Sequence, residues 1–156
     1  MLEVHIPGFA SLRLQHLVLD YNGTLAVDGR PLPGVRRRLH ALSRTLEIHV
    51  VTADTFGVAR AKLAGLPCRV SILAERAQDR AKLGYVRRLD AGRTVCVGNG
   101  RNDRLMLKAA ALGIAVLQGE GAAGATLAAA DLVVPTITEA LDLLVRPLRL
   151  VASLRS

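Results

Sequence analysis

The stretch Leu17-Val18-Leu19-Asp20-Tyr21-Asn22-Gly23-Thr24-Leu25 decides how the rest of the chain reads. Three apolar residues end abruptly in a carboxylate, and the Gly-Thr pair that follows calls for a tight turn. A short apolar run bounded by turn residues fits a buried parallel strand. In open α/β sheets ligands bind beyond the carboxyl ends of the strands, so Asp20 would stand at a binding crevice. There an Asp suits a nucleophile or a metal ligand. Taken alone, it suits equally well the cap of a helix or turn.

Outward from this stretch, strands and helices alternate. Residues 2–6 and 12–19 read as strands, separated by Pro7-Gly8. Residues 25–33 hold Asp28-Gly29 and two prolines, the signature of a hairpin or flap. Apolar residues at Val35, Leu39, Leu42 and Leu46 predict a helix over 35–46. A β-branched run over 47–51 ends in Thr52-Ala53-Asp54, and a helix over 55–66 stops at Gly65-Leu66-Pro67. Further strands are expected at 70–73, 94–97, 113–117 and 132–134. Helices are expected at 76–89, 105–111, 122–129 and 138–145, with Lys82 inside the first of these. The pattern predicts one α/β domain over residues 1–156, a three-layer Rossmann-like parallel sheet covered on both faces. A chain of 156 residues is the size of one such domain.

Composition narrows the function. Hydrophobic residues make up 51% of the chain, enough for a core, and no apolar run reaches the roughly 18 residues that span a bilayer. Membrane contact is therefore not expected. Aromatic residues are 3%, so stacking platforms for bases are lacking. The net charge of +8 would attract anionic substrates. Nucleic acid is not an expected partner, because Arg36-Arg37-Arg38 and Arg87-Arg88 fall in helical stretches where solvated faces account for them. Cys68 and Cys96 lack metal-ligand spacing, and Met1 to His5 lacks the basic start of a signal peptide. A reduced, cytoplasmic protein is the expectation.

Four polar groups follow strands: Asp20, Thr52, the segment leading to Lys82, and Gly98-Asn99-Gly100-Arg101-Asn102-Asp103. Each has a task in phosphoryl chemistry. A carboxylate can attack phosphorus and form an aspartyl-phosphate. A Thr hydroxyl and loop N–H groups hold phosphate oxygens. A lysine neutralises charge on the transferring group, and a second carboxylate helps to hold Mg²⁺. Singly, Lys82 reads as a surface lysine, Thr52 as a strand-end hydroxyl and Asp103 as a helix cap. Their order and placement give the combination its force.

Together these residues resemble the four motifs of the haloacid dehalogenase-like (HAD) superfamily. Asp20-Tyr21-Asn22-Gly23-Thr24-Leu25 is similar to its first motif. Thr52-Ala53-Asp54 resembles the second, in the Thr-Gly-Asp form of P-type ATPases, and Lys82 occupies the third. Gly98 to Asp103 is similar to the Gly-Asp-Gly-x-Asn-Asp fourth motif. The resemblance spans about residues 12–135 and is nearest to small soluble proteins likened to P-type ATPase phosphorylation domains. It implies a HAD-like core, Mg²⁺ as cofactor and phosphohydrolase activity. It makes Asp20 the nucleophile, Thr52 the phosphoryl-binding hydroxyl and Lys82 the stabilising lysine. Gly23, Thr24, Ala53 and Asn102 join the phosphate-binding set, and Asp20, the Asn22 carbonyl, Asn99 and Asp103 the metal set.

Two departures matter. The family usually has an acid/base Asp two residues after the nucleophile, where this chain has Asn22. An amide cannot protonate a leaving group or activate water in that way. Asn99 stands where a metal-binding Asp is usual, which keeps a ligand oxygen but removes its charge. Weak Mg²⁺ binding and slow turnover are expected. A catalytically degenerate fold that binds a phosphorylated ligand or a protein is the alternative. A response-regulator receiver domain also uses Asp, Thr and Lys, but there the phosphorylated Asp follows a later strand.

The intervals between Asp20 and Thr52 and between Thr52 and Lys82 are too short for a cap domain. An open, capless site takes large substrates or is closed by a second subunit, so a small phosphorylated substrate implies a homo-oligomer. Arg30 in the flap and Arg101 in the fourth motif are the expected substrate contacts. His5, His16, His40 and His49 share no spacing with carboxylates, and His16 and His49 read as packed sheet histidines. Asp54 reads either as a site residue or as a helix cap. Gly119-Glu120-Gly121 reads as a site-rim loop or a plain turn, and the stripe Leu148 to Leu154 as a docking segment.

Overall fold

The computed structural model describes residues 1–54 and 57–156. Among the described residues ten strands and seven α-helices follow one another. The chain opens with β1 (Leu2–Ile6) and β2 (Ala10–Leu14), an antiparallel pair turned at Gly8, whose φ of +77° suits glycine. Next come β3 (His16–Asp20), the two-stranded flap β4 (Ala26–Val27) and β5 (Arg30–Pro31), and α1 (Val35–Leu42). Then follow β6 (Glu47–Thr52), α2 (Val58–Lys62), β7 (Arg69–Ile72), α3 (Gln78–Leu89) and β8 (Thr94–Gly98). The remainder is α4 (Arg104–Ala109), β9 (Leu112–Val116), α5 (Gly124–Ala129), β10 (Leu132–Val134), α6 (Ile137–Val145) and α7 (Leu148–Leu154).

Six strands form one parallel sheet in the order β10-β9-β8-β3-β6-β7. From β3 the chain first adds β6 and β7 on one side. It then crosses back to place β8, β9 and β10 on the other. The direction of winding therefore reverses beside β3, and a ligand crevice opens at such a point.

Period-two alternation sends neighbouring side chains to opposite layers. On β3, Leu17 and Leu19 join the core under α1, α2 and α6, while Val18 joins the one under α3 and α4. Leu17, Leu19, Val50 and Val97 are wholly buried, and each such side chain contributes about 1.5–3 kcal/mol. Arg38 on α1 clasps Asp142 on α6 through two bonds of 2.8 Å, which ties the helices of the first layer together. The three-layer reading from sequence therefore holds.

Several boundaries differ. The strand expected over 12–19 divides at Gln15: residues before it pair with β1, whereas β3 belongs to the main sheet. The helix expected over 35–46 ends at Leu42, where Ser43 and Thr45 turn their hydroxyls onto the carbonyls of His40 and Leu42. The helix expected over 55–66 is α2, Val58–Lys62; Thr55 lies outside the described residues. Asp54 reaches the start of that helix, its Oδ2 accepting from the Ala59 N–H at 2.6 Å, while Gly57 holds the N-cap position. The C-terminal stripe docks on its own domain, with Leu150 of α7 buried in the core. Among the described residues the flap and the β6-α2-β7 unit occupy the places where a cap domain would be inserted. No helix there is long and apolar enough to cross a membrane.

Candidate active site

Three neighbouring strands deliver the site. Asp20 ends β3, Thr52 ends β6, and the loop after β8 carries Asn99, Gly100, Asn102 and Asp103. A cleft of about 360 Å³ opens there, lined by Asp20, Asn22, Thr52, Ala53, Gln78, Asn99, Gly100 and Asn102. Lys82 enters from beneath, because α3 crosses that face of the sheet and directs its second turn at β3.

Lys82 is the electrostatic centre, not a surface lysine. It is 1% exposed, and its Nζ donates to Asp20 Oδ1 at 2.7 Å and to Asp103 Oδ1 at 2.6 Å. Asp103 is fully buried, and its Oδ2 accepts from the N–H groups of Asn99 and Gly100, each at 2.9 Å. Asp103 thus holds both the lysine and the loop after β8. It stands behind Lys82 and does not line the cleft. Two carboxylates share one ammonium, which leaves a net negative charge in a buried place. Burial, followed by repulsion from Asp103, pushes the Asp20 carboxyl up to about 7 despite the opposing pull of Lys82. Burial works against the Lys82 ammonium, but the two carboxylates outweigh it and raise its pKa.

The loop after Asp20 is a fitted part. Gly23 has a φ of +78°, and a Cβ there would collide with the Asn99 side chain. Thr24 Oγ1 donates to Asn99 Oδ1 at 3.2 Å, and Asp20 Oδ2 lies 3.5 Å from the same hydroxyl. Asn99 Nδ2 donates to the Gly121 carbonyl at 2.9 Å. The segment Gly119-Glu120-Gly121 is accordingly both a turn and part of the site rim.

Two residues of the site were not singled out from sequence. Gln118, just past β9, donates from Nε2 to the carbonyls of Gly23 (2.8 Å) and Thr24 (2.5 Å), and its Oε1 accepts from the Ile137 N–H at 3.0 Å. Gln78 accepts from Asn102 Nδ2 at 2.7 Å and so fixes that amide at the cleft wall. The signal for Gln118 was its place one step beyond a parallel strand; Gln78 carried none. Of the expected substrate contacts, Arg101 lies in an adjoining depression that shares Gln78 and Asn102 with the cleft. Arg30 is exposed on β5 and is not among the lining residues.

No protein-family model matches the chain. Two uncharacterised proteins of Methanocaldococcus jannaschii resemble it. MJ0073 is 49% identical over 61 residues, 39% of this chain and 66% of that protein. MJ0072 is 46% identical over 39 residues, 25% of this chain and 89% of that protein. Among solved structures, a 3-deoxy-D-manno-octulosonate 8-phosphate phosphatase from Moraxella catarrhalis, in complex with magnesium, phosphate and KDO, superposes with a TM-score of 0.70 at 15% identity, covering 90% of this chain and 91% of that one. A phosphoserine phosphatase in apo form gives 0.67 at 16%, covering 83% and 98%. The catalytic domain of the CPx-ATPase CopB-B gives 0.61 at 19%, covering 73% and 45%. The fold they share with this chain is the HAD-like one.

Proposed function

Since the chain belongs to the same family as the two archaeal proteins and has the HAD-like fold, we propose that it is a Mg²⁺-dependent phosphohydrolase with Asp20 as nucleophile. One observation carries the reading: a buried carboxylate at the switch point of the sheet is bridged by Lys82 to a second carboxylate, in a cleft that Thr52 also lines. Asp103 caps the loop after β8, but capping gives no reason for Asp20 to share its lysine, and an Asp-Lys-Asp triad with excess negative charge is costly to bury. The excess suits a divalent cation. Asp20, Asn22 and Asn99 line the cleft, and the Asp20 carboxylate, the Asn22 carbonyl and the Asn99 side chain would hold the ion, with Asp103 supporting through Lys82. When bound, the ion would neutralise phosphate charge and favour the ionised form of Asp20.

The chain's own groups then divide the work. Asp20 attacks phosphorus and the ester P–O bond breaks, leaving an aspartyl-phosphate. Thr52, Ala53 and Asn102 offer the phosphoryl oxygens a hydroxyl, an N–H and an amide, while Gly23 and Thr24, whose N–H groups bond to the Ala26 and Tyr21 carbonyls, shape the loop that presents Asp20. Lys82 neutralises the charge that moves between Asp20 and those oxygens. No side chain at position 22 protonates the leaving alkoxide or activates the water that hydrolyses the acyl phosphate, so water or solvent-borne acid must do so. Turnover is slow for that reason, and activated donors such as aryl or acyl phosphates outperform alkyl phosphates. The substrate is a small phosphorylated compound, with a second copy of the chain closing the open cleft. The site of a cytoplasmic enzyme would be kept reduced, in line with its two free thiols.

The test is incubation with acetyl phosphate or p-nitrophenyl phosphate and Mg²⁺. Product release, or an acid-stable, hydroxylamine-sensitive phosphoprotein, supports the reading, and Asp20→Asn must abolish both. Absence of both across several donors overturns it. A second reading, a degenerate site that binds phosphorylated ligands or proteins without turnover, is favoured by Asn22 and by the engagement of Asn99 with Thr24 and Gly121. It holds if activity emerges only after Asn22→Asp with Asn99→Asp.

A further inference from the structure

The opposite end of the same sheet carries ligating side chains that phosphoryl chemistry does not use. His16 begins β3, Glu47 begins β6, and His49 lies two residues further on. Strand pairing sets His16 opposite Glu47 and Val18 opposite His49, so the three side chains share the face that α3 covers. His16 Nδ1 is 3.3 Å from His49 Nε2 and 3.6 Å from Glu47 Oε2, and that oxygen is 4.0 Å from His49 Nε2. Ligand atoms about 2.0–2.1 Å from a tetrahedral ion stand about 3.3 Å apart, which is the separation of the two ring nitrogens. We propose that His16, Glu47 and His49 bind one transition-metal ion of the Zn²⁺ class, in a site separate from the phosphoryl cleft. Along β3 the two lie about four residues, or about 13 Å, apart.

The donor set selects the ion. Two imidazoles and one carboxylate suit Zn²⁺, Co²⁺ or Ni²⁺, whereas Mg²⁺ and Ca²⁺ require mostly oxygen. His49 is 1% exposed, so its place in the cluster is fixed by packing. An outer partner is present as well. His49 Nδ1 is 2.9 Å from the Tyr85 hydroxyl, which accepts from Ser71 Oγ at 3.1 Å. Such partners fix the ring and its tautomer, leaving Nε2 toward the ion. Glu47 and His49 border a surface depression of about 500 Å³ with Pro67 and Cys68, which gives a water access as fourth ligand.

The test titrates the full chain, stripped by chelator and free of phosphate, with Co²⁺ alone and then Zn²⁺. Intense visible bands of four-coordinate cobalt that saturate at one equivalent and are displaced by Zn²⁺ are expected, an oxygen-ligated ion in the cleft adding only weak absorption. His16→Gln and His49→Gln each weaken binding at least a hundredfold, and Tyr85→Phe weakens it about tenfold. Asp20→Asn and Cys68→Ser leave it unchanged. If His49→Gln fails to fold, the half-buried His16 and the exposed Glu47 carry the test through His16→Gln and Glu47→Gln. Absence of the bands, or bands untouched by those two substitutions, overturns the proposal and leaves a plain hydrogen bond between the rings. Loss of the bands in Asp20→Asn or Cys68→Ser places the ion elsewhere and overturns it too. None of these outcomes depends on phosphatase activity.

Discussion

The ammonium of Lys82 lies 2.7 Å from Oδ1 of Asp20, 62 residues away in sequence, with both side chains buried. The pair serves fold and site at once. Replacing Lys82 by Met removes the only cation the structure gives Asp20 and Asp103 among the described residues. Two buried carboxylates then face each other without it. Breaking a buried pair in this way costs about 3–5 kcal/mol. Urea denaturation at neutral pH without metal should show that loss, and phosphoryl transfer from acetyl phosphate should vanish. Lys82→Met with unchanged stability would show that the triad carries no net charge.

Asn22 is exposed at the cleft mouth, so its side chain is replaceable without repacking. On the proposed mechanism, Asn22→Asp supplies a carboxyl where the leaving group would depart. General acid–base catalysis contributes about 10²–10⁴-fold, and the gain should fall on kcat with p-nitrophenyl phosphate. Any phosphoenzyme trapped by the parent chain should shorten in lifetime by a comparable factor. A variant no faster than the parent would mean that position 22 does not reach the leaving oxygen.

The sheet and most of the cleft were legible because they depend on local pattern. Apolar runs ending in Asp20, Thr52 and Gly98 mark strand ends, and strand ends in a parallel sheet converge. What remained hidden depends on pairing across the sheet. His16 and Glu47 are separated by thirty residues of chain and meet only because β3 and β6 align in register. No one-dimensional spacing contains that contact. Gln118 was hidden for another reason: an amide binding main-chain carbonyls leaves no compositional trace. The division at Gln15 escaped because residues on either side of it keep an extended conformation and only their partners change.

His49 provides a pH signature. Its folded pKa of about 4 lies below the ordinary 6.5, so the unfolded chain binds a proton there that the folded chain refuses. The stability it secures is complete above pH 6.5 and is lost as pH falls toward about 4. Thermal or urea unfolding of the metal-free chain should therefore decline across that window. His49→Gln should be less stable at neutral pH, having lost its bond to Tyr85, yet show a shallower decline. Parallel pH profiles for the two proteins would mean that His49 titrates normally.

Gln118 separates rigidity of the nucleophile loop from its chemistry. Its amide clamps the Gly23 and Thr24 carbonyls from β9, and its Oε1 anchors the first N–H of α6. Gln118→Leu leaves three partly buried main-chain groups without that partner, at about 1 kcal/mol each at most, because nearby solvent takes some of them. On the proposed mechanism the loop would then hold Asp20 and Asn22 less firmly at the cleft. Activity should drop at least tenfold through kcat while the chain stays folded, since orientation errors of even an ångström weigh on reaction rates. Gln118→Glu is the sharper control. It keeps the shape but lacks the N–H donors, so it should fail like the Leu variant, with added repulsion against the two carbonyls. A Gln118→Glu enzyme as fast as the parent would place the loop's rigidity elsewhere, in the Gly23–Asn99 contact that a Gly23→Ala substitution would then disrupt.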